Sequence, residues 1–298
     1  MTNSESSEDW VQVKARTDDR NAEKVSDLLE SMGSLAVTYM DAEDTPILEP
    51  LPGEHRLWPN IEVTGLFDKG TDPEPVINAV KDLLGQYAPV ASVPLHEKDW
   101  IRAWMDQFKP MKFGSRLWIC PSWLKVEEEN SVVVKLDPGL AFGTGTHPTT
   151  AQCLTWLDSA DLKGLRVLDY GCGSGILGIS ALKLGAESVT GVDIDEQALM
   201  ATKENALRNG VADRISLVLG KPSLELEPFP VTVANILAGP LAALEPYIAK
   251  FTQKDGRLAL SGILTDQADE VIEAYSKDFR MDPPKSVDGW VLLTGIRL

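Results

Sequence analysis

The sequence predicts an α/β protein: a mostly parallel seven-stranded sheet with a C-terminal antiparallel hairpin, preceded by a small α+β domain. Three observations predict this class. From residue 148 onward, segments with strand periodicity alternate with helical segments. The first hundred residues instead repeat a strand, helix, strand pattern twice. The last two strand-like segments follow each other without a helix between them, which is typical of an antiparallel hairpin at one side of a parallel sheet.

In the first hundred residues the predicted strands are WVQVKAR, SLAVTYMD, NIEVTGLF and PVASVPLHE, and the predicted helices are NAEKVSDLLESMG and PEPVINAVKDLLGQY. This βαββαβ order predicts a ferredoxin-like domain over residues 1–97. Residues 98–136 are predicted to be a connector, with a short helix, WIRAWMDQF, followed by tryptophan-rich strands. Its tryptophans are expected mainly to pack between the domains, and the alternative is that some of them line a substrate groove.

In residues 137–298 the strands RVLDY, SVTGVDI, RISLVLG, VTVANI and GRLALSGI are separated by helical segments that include ILGISALKLG and EQALMATKENALRNG. Alternation on this scale predicts a parallel sheet covered by helices on both faces. The strands FRMD and GWVLLTGIRL, joined by a turn that contains two prolines, are predicted to form the final hairpin.

The composition is that of an ordinary globular protein, with 298 residues of which 43% are hydrophobic and 24% charged. We expect a cytoplasmic protein with no membrane segment, since no run of about 18 apolar residues occurs and MTNSESSEDW is acidic where a signal peptide is basic and then apolar. Three cysteines and three histidines are scattered along the chain. We therefore expect neither a disulfide framework nor a metal site.

The net charge of −17 is unevenly distributed. Residues 1–100 carry 20 acidic and 8 basic side chains, a net charge of −12, and the remaining residues carry −5. An acidic surface repels the phosphate backbone, so we expect no direct nucleic-acid binding. If the first part of the chain binds a macromolecule, a basic protein is the natural partner. The alternative is that the acidic residues only keep the protein soluble.

A glycine run, VLDYGCGSGILG, places Gly171 and Gly173 between a strand and a helix, where a ligand can approach the backbone closely. Gly173, Gly175 and Gly178 also satisfy the GxGxxG fingerprint of dinucleotide-binding proteins. Asp169, expected at the mouth of this loop, separates the two interpretations. A carboxylate is unfavourable beside a pyrophosphate but favourable beside the cationic sulfonium and ammonium groups of S-adenosylmethionine. We therefore favour S-adenosylmethionine over NAD and predict cofactor contacts for Asp169.

Two polar residues end the strands that follow. Asp193 ends the next strand and is placed to bond the ribose hydroxyls of either cofactor. Asn235 ends the fourth strand and resembles the asparagine of the NPPY-type signature of amino-group methyltransferases, with ILA in place of the two prolines and the aromatic residue. The missing aromatic argues against an enzyme that stacks an extruded base. The alternative is that Asn235 only caps the end of the strand.

The stretch LAFGTGTHPTT looks like a phosphate loop but lacks the Lys-Ser/Thr ending of a P-loop, so we interpret it as the opposite wall of the same pocket. His147 in this stretch is a candidate general base, although a His-Pro pair in a turn is more often structural. Cys172 lies inside the glycine run and could be a nucleophile. Because no histidine neighbours it in the sequence, we expect it to fill space instead.

Three motifs, LDPGLAFGTGTHPTT, VLDYGCGSGILGISALKLGA and VTVANILAGPL, together resemble the bacterial ribosomal protein L11 methyltransferases. The resemblance extends from about Gln107 to the C-terminus. It implies a class I methyltransferase domain that uses S-adenosylmethionine, Rossmann-like in fold, at residues 137–298, and a substrate-recognition domain at residues 1–97. It also implies methyl transfer to lysine side chains and the N-terminal amine of ribosomal protein L11. The cofactor contacts that it implies are Thr150, Gly171, Asp193 and Asn235, with Phe142, Gly143, Thr144 and His147 nearby.

Methyl transfer is an in-line attack by an amine lone pair, so the enzyme mainly has to position the amine and keep it neutral. Asn235 is predicted to accept a hydrogen bond from the amine and so to orient its lone pair. Three rival functions are left open: a methyltransferase that acts on another protein, a nucleic acid or a small-molecule amine; an NAD-dependent oxidoreductase; and a binding module without catalytic activity.

Overall fold

The computed structural model describes residues 10–43, 58–95, 108–137, 147–221 and 224–298. The chain divides into two compact units, residues 1–107 and 108–298, and the division falls inside the segment predicted as a connector. Of the predicted helix at residues 100–108, all but Phe108 lies outside the described residues, as do Phe142, Gly143 and Thr144. Within the described residues, no helix has the length and apolar character needed to span a bilayer.

The first unit contains β1 (Trp10–Asp18), α1 (Asp19–Ser31), β2 (Ala36–Asp41), β3 (Asn60–Phe67), α2 (Glu74–Leu84) and β4 (Val90–Leu95). The strands form an antiparallel sheet in the order β2-β3-β1-β4. The βαββαβ order of elements is the one that the sequence predicts. Alternate residues of β1, Val13 and Ala15, pack with Val25 and Leu29 of α1 in the core, because successive side chains of a strand point to opposite faces.

The second unit begins with a small sheet of three strands, β5 (Met111–Phe113), β6 (Leu117–Cys120) and β7 (Val132–Lys135). The following elements are α3 (Pro148–Ser159), β8 (Arg166–Tyr170), α4 (Ile176–Lys183), β9 (Ser188–Asp193), α5 (Glu196–Arg208), β10 (Ile215–Leu219) and β11 (Phe229–Asn235). The unit ends with α6 (Ala238–Phe251), β12 (Thr252–Leu264), α7 (Ala268–Tyr275), β13 (Phe279–Met281), β14 (Lys285–Val287) and β15 (Trp290–Arg297).

The seven predicted strands of the large sheet lie in the order β10-β9-β8-β11-β12-β15-β13, and a short eighth strand, β14, also pairs with β15. Strands β10 to β12 are parallel, and β15 runs antiparallel to β12. The α/β class and the mostly parallel sheet are therefore confirmed.

The chain reversal before β15 differs from the expectation. The structure places it at Asp288 and Gly289, whose φ values of 51° and 80° are left-handed, and not at the two prolines. Two consecutive left-handed residues form the tight turn that suits a hairpin. Pro283 and Pro284 lie between β13 and β14, where their missing N–H groups interrupt the pairing with β15.

The strand order opens a crevice beside β8 and β11. From β8 the chain moves outward through β9 to β10, and it then returns to place β11 on the other side of β8. Helices α3, α4 and α5 contribute to one apolar cluster and α6 and α7 to another. In such sheets, ligands bind at the carboxyl ends of the two strands where the order reverses. The fold therefore predicts a site next to Tyr170 and Asn235.

Candidate active site

A cavity of about 550 Å³ lies at this edge, where β8, β9 and β11 end. Of the residues predicted from the sequence, the cavity is lined by His147, Thr150, Gly171, Gly173, Asp193 and Asn235. The structure therefore brings together three motifs that are far apart in the chain.

The glycine loop makes close backbone contacts that a larger residue would prevent. The N–H groups of Gly171 and Cys172 donate to the carbonyl oxygen of Val192, at 2.7 and 3.0 Å. Gly171 has a left-handed φ of 78°, and a Cβ there would lie 2.3 Å from Cγ2 of Ile236. Glycine is therefore needed both for the backbone conformation and for the approach of the residue that follows β11.

Asp193 connects the end of β9 to the glycine loop. Its Oδ2 accepts a hydrogen bond from the N–H of Gly173 at 2.8 Å, and its Oδ1 accepts one from the N–H of Asp195 at 3.1 Å. A carboxylate has about four lone-pair positions, so it can accept further hydrogen bonds. Because Asp193 lines the cavity, ribose hydroxyls of a nucleoside are suitable donors.

Asn235 contacts the first turn of α3. Its Nδ2 donates to Oγ1 of Thr150 at 3.1 Å, and Thr150 is fully buried. Because the amide nitrogen binds Thr150, Oδ1 is the amide atom that can accept a hydrogen bond from an amine.

His147 occupies the position before α3 and caps that helix. Its Nδ1 accepts from the N–H of Thr149 at 3.4 Å and lies 2.7 Å from Oγ1 of the same residue. The imidazole meets the ring of Trp290 edge to face, with centroids 4.7 Å apart and an interplanar angle of 73°. Burial lowers the pKa of His147 below its ordinary value. These contacts favour the structural interpretation, and a general base would have to use Nε2.

Asp169 does not lie at the mouth of the loop, where the sequence argument placed it. It is only 1% exposed, and its Oδ2 accepts a hydrogen bond from the N–H of Gly178 in α4 at 2.8 Å. Successive side chains of a strand point to opposite faces, and that of Asp169 points toward α4 and away from the cavity. Burial raises the pKa of Asp169 to about 7. Asp169 does not line the cavity and therefore cannot decide between S-adenosylmethionine and a dinucleotide.

Cys172 has the environment of a packing residue. It is buried, and Oγ1 of Thr202 lies 3.6 Å from its sulfur. Burial raises the pKa of the thiol to about 12, so the nucleophilic thiolate is disfavoured. This environment fits the expectation that Cys172 fills space.

Sequence reasoning missed most of the apolar wall of the cavity. The lining residues that it did not identify are Thr149, Tyr170, Ile176, Leu177, Val192, Ile194, Ile236, Leu237, Pro240, Leu244, Gly262 and Trp290. The position of Gly262 could have been predicted from the sequence, because a glycine inside a strand often marks a close approach of another backbone segment. A Cβ on Gly262 would lie 2.2 Å from the carbonyl oxygen of Ile236.

The described lining residues fit S-adenosylmethionine better than a dinucleotide. They include one carboxylate, Asp193, and neither lysine nor arginine. A pyrophosphate would find no cationic side chain among these described residues, whereas S-adenosylmethionine carries no phosphate that needs one.

Comparisons with known proteins identify the family of the chain. The family described as ribosomal protein L11 methyltransferase (PrmA) matches residues 9–297. The ribosomal protein L11 methyltransferase of Actinobacillus pleuropneumoniae serotype 7 (strain AP76) is 53% identical over 290 residues, covering 97% of this chain and 99% of the relative. The same-named protein of Haemophilus influenzae (strain PittEE) is 53% identical over 291 residues, covering 96% and 98%.

Among solved structures, the ribosomal protein L11 methylase from Lactobacillus delbrueckii subsp. bulgaricus is 34% identical, with a TM-score of 0.59. The match covers 64% of this chain and 99% of that one. The resemblance found in the three sequence motifs is confirmed, and the chain belongs to the ribosomal protein L11 methyltransferase family.

Proposed function

We propose that the chain transfers methyl groups from S-adenosylmethionine to lysine side chains and the N-terminal amine of ribosomal protein L11. Family membership supports an L11 methyltransferase that depends on S-adenosylmethionine. An amine as the acceptor is supported by one observation: Asn235, held by Thr150, lies at the end of β11 in the cavity that the glycine loop lines. The choice of lysine side chains and the N-terminal amine follows from the family resemblance.

The cofactor would be held mainly by Asp193 and the glycine loop. Asp193 would accept hydrogen bonds from the ribose hydroxyls, and Gly171 and Gly173 would allow the ligand to approach the backbone. Bound S-adenosylmethionine supplies a methyl carbon that its sulfonium activates toward nucleophiles. The protein then has to supply position and surroundings rather than a covalent intermediate.

The acceptor amine has to be neutral when it attacks. A lysine amine has an unperturbed pKa near 10.4, and burial among apolar side chains lowers it because the charged form is disfavoured. Ile236, Leu237 and Leu244 contribute apolar surface to the cavity. Oδ1 of Asn235 would accept a hydrogen bond from the amine N–H and aim the lone pair at the methyl carbon.

We assign recognition of the basic protein substrate to the N-terminal domain, residues 1–97, followed by a connector at residues 98–136 and the methyltransferase domain at residues 137–298. The net charge of −12 on residues 1–100 supports this assignment, since opposite charges favour encounter with a basic partner. The βαββαβ order of elements supports a ferredoxin-like domain. We propose no direct binding of nucleic acid. We also propose that the reaction takes place in the cytoplasm.

Incubation with methyl-labelled S-adenosylmethionine and purified L11 tests the function. We expect label in L11, located by tandem mass spectrometry on lysine Nε atoms and the N-terminal nitrogen. Label elsewhere, or none in L11 although the cofactor binds, would contradict the proposal. S-adenosylmethionine should raise the melting temperature of the protein, and NADH should not. An NAD-dependent oxidoreductase would show the opposite result.

Asn235→Ala tests the proposed role of the amide. We expect kcat to fall at least about 100-fold, because loss of an orienting hydrogen bond donor or acceptor in an active site has effects of this size. The Kd for S-adenosylmethionine should change by less than about threefold, or 0.7 kcal/mol. A variant with normal kcat would remove this role from Asn235.

A further inference from the structure

We propose that Trp290 forms the aromatic wall of the acceptor end of the cavity and determines specificity there, by binding the alkyl chain and the methylated ammonium of the acceptor. The inference rests on the proposed function and adds a residue that none of the three sequence motifs contains.

The pairing of the strands places Trp290 beyond Asn235, toward the carboxyl edge of the sheet. Asn235 pairs with Ser261 on the neighbouring strand, and Trp290 pairs with Leu264 three residues further along that strand. The pairing of β12 with β15 is irregular between Leu260 and Ile263, so the offset along the strands is shorter than three regular residues. With strands roughly 5 Å apart, Trp290 lies about 10 Å across the sheet from Asn235 and further toward the carboxyl edge. Trp290 and Asn235 line the same cavity, so an acceptor side chain bound beside Asn235 could also contact the indole.

One ring contact and three hydrogen bonds to the backbone position Trp290. The His147 ring packs against it at 4.7 Å, and the backbone carbonyl of Trp290 accepts a hydrogen bond from Nε2 of Gln152 at 3.2 Å. The preceding carbonyl, that of Gly289, accepts from both the N–H and Oγ1 of Thr265, at 3.0 and 2.9 Å. A ring on a backbone held in this way, with one neighbouring ring against it, loses less conformational entropy when it binds an acceptor than a mobile side chain would.

An aromatic surface suits the chemistry of the acceptor. The three residues after Asn235 are Ile, Leu and Ala, so this segment lacks the aromatic ring that ends an NPPY-type signature. Trp290 supplies a ring to the same cavity from a hairpin that lies far along the chain. The face of an indole attracts alkylammonium cations and packs well against a CH₂ chain. A lysine side chain that carries methyl groups has both features.

The test compares Trp290→Leu, which removes the ring, with Trp290→Phe, which keeps one. With L11 as substrate we expect KM to rise about tenfold in the leucine variant, while kcat and the Kd for S-adenosylmethionine change by less than about threefold. The phenylalanine variant should restore KM to within about threefold of the unsubstituted protein. Trp156→Leu is the matched control, because Trp156 lies on α3 but does not line the cavity, and its KM should be unchanged.

A second measurement does not depend on turnover. A trimethyllysine peptide, titrated by calorimetry in the presence of S-adenosylhomocysteine, should bind the unsubstituted protein about tenfold more tightly than Trp290→Leu. Equal binding, an unchanged KM, or a parallel loss of cofactor affinity would each overturn the inference. Failure of the unsubstituted protein to methylate L11 would instead reject the proposed function, and the peptide titration would still decide the role of Trp290.

Discussion

The side-chain amide of Asn235 donates a hydrogen bond to the hydroxyl of Thr150 across 3.1 Å, between residues 85 positions apart in the chain. This bond joins the end of β11 to the first turn of α3. Because Thr150 is fully buried, water cannot readily replace its hydroxyl as the partner of the amide. The two residues therefore act as one unit, in which Thr150 sets the orientation of Asn235.

Thr150→Val should lower turnover, because valine keeps the shape of threonine but leaves the amide nitrogen of Asn235 without its partner. Loss of a hydrogen-bond partner costs about 1–3 kcal/mol for a buried polar group, and the half-buried Asn235 should lie at the low end of that range. We expect kcat with L11 to fall roughly fivefold to tenfold, since that free energy is lost from positioning. Thr150→Ser keeps the hydroxyl and should retain most activity. A valine variant with unchanged kcat would show that this hydrogen bond does not orient Asn235.

Gly171→Ala should abolish cofactor binding and lower the melting temperature. The added Cβ would lie 2.3 Å from Cγ2 of Ile236, and the left-handed backbone is unfavourable for alanine by roughly 1–2 kcal/mol. Gly210→Ala is the matched control, because Gly210 has a similar φ of 67° with no atom within 4 Å of a new Cβ. Calorimetry and thermal unfolding should show a larger loss at Gly171. Equal losses at both positions would mean that backbone strain alone explains the effect.

Asp193→Asn should weaken binding of S-adenosylmethionine about tenfold to 100-fold. The amide keeps one acceptor oxygen but loses the charge that strengthens hydrogen bonds to the N–H of Gly173 and to ribose hydroxyls. Isothermal titration measures the change directly. The same substitution at the exposed Asp213 should leave the Kd unchanged. If both variants bind the cofactor normally, the proposed contact between Asp193 and the ribose is wrong. The hydrogen bond from Gly173 to Asp193 would then not contribute to cofactor affinity.

The sequence predicts the large sheet and the glycine loop well, because both depend on local patterns. Strand RVLDY, for instance, matches Arg166–Tyr170 residue for residue. A buried strand is apolar on both faces, however, so its pattern does not say which way each side chain points. For this reason Asp169 was expected in the pocket although its side chain faces α4.

Local sequence patterns also do not predict contacts between strands that are far apart in the chain. Trp290 follows an Asp-Gly pair, which favours a tight hairpin turn, and the structure forms its turn there and not at the two prolines. Even with the correct turn, the position of Trp290 beside His147 depends on the packing of β15 against β12 and α3. That packing depends on the whole order of the sheet, which no single segment encodes.

Asp169 should make stability depend on pH. Burial raises its pKa to about 7, while the unfolded chain releases the same proton near pH 4. The stability that this group contributes is therefore complete below about pH 4 and is lost as the pH rises to about 7. Asp169→Asn cannot ionise, so its unfolding free energy relative to the unsubstituted protein should increase by a few kcal/mol between pH 4 and pH 8. Urea unfolding without cofactor at several pH values measures this difference, with the exposed Asp213→Asn as the control. A difference that stays constant over this range would show that Asp169 is ionised in the folded protein throughout.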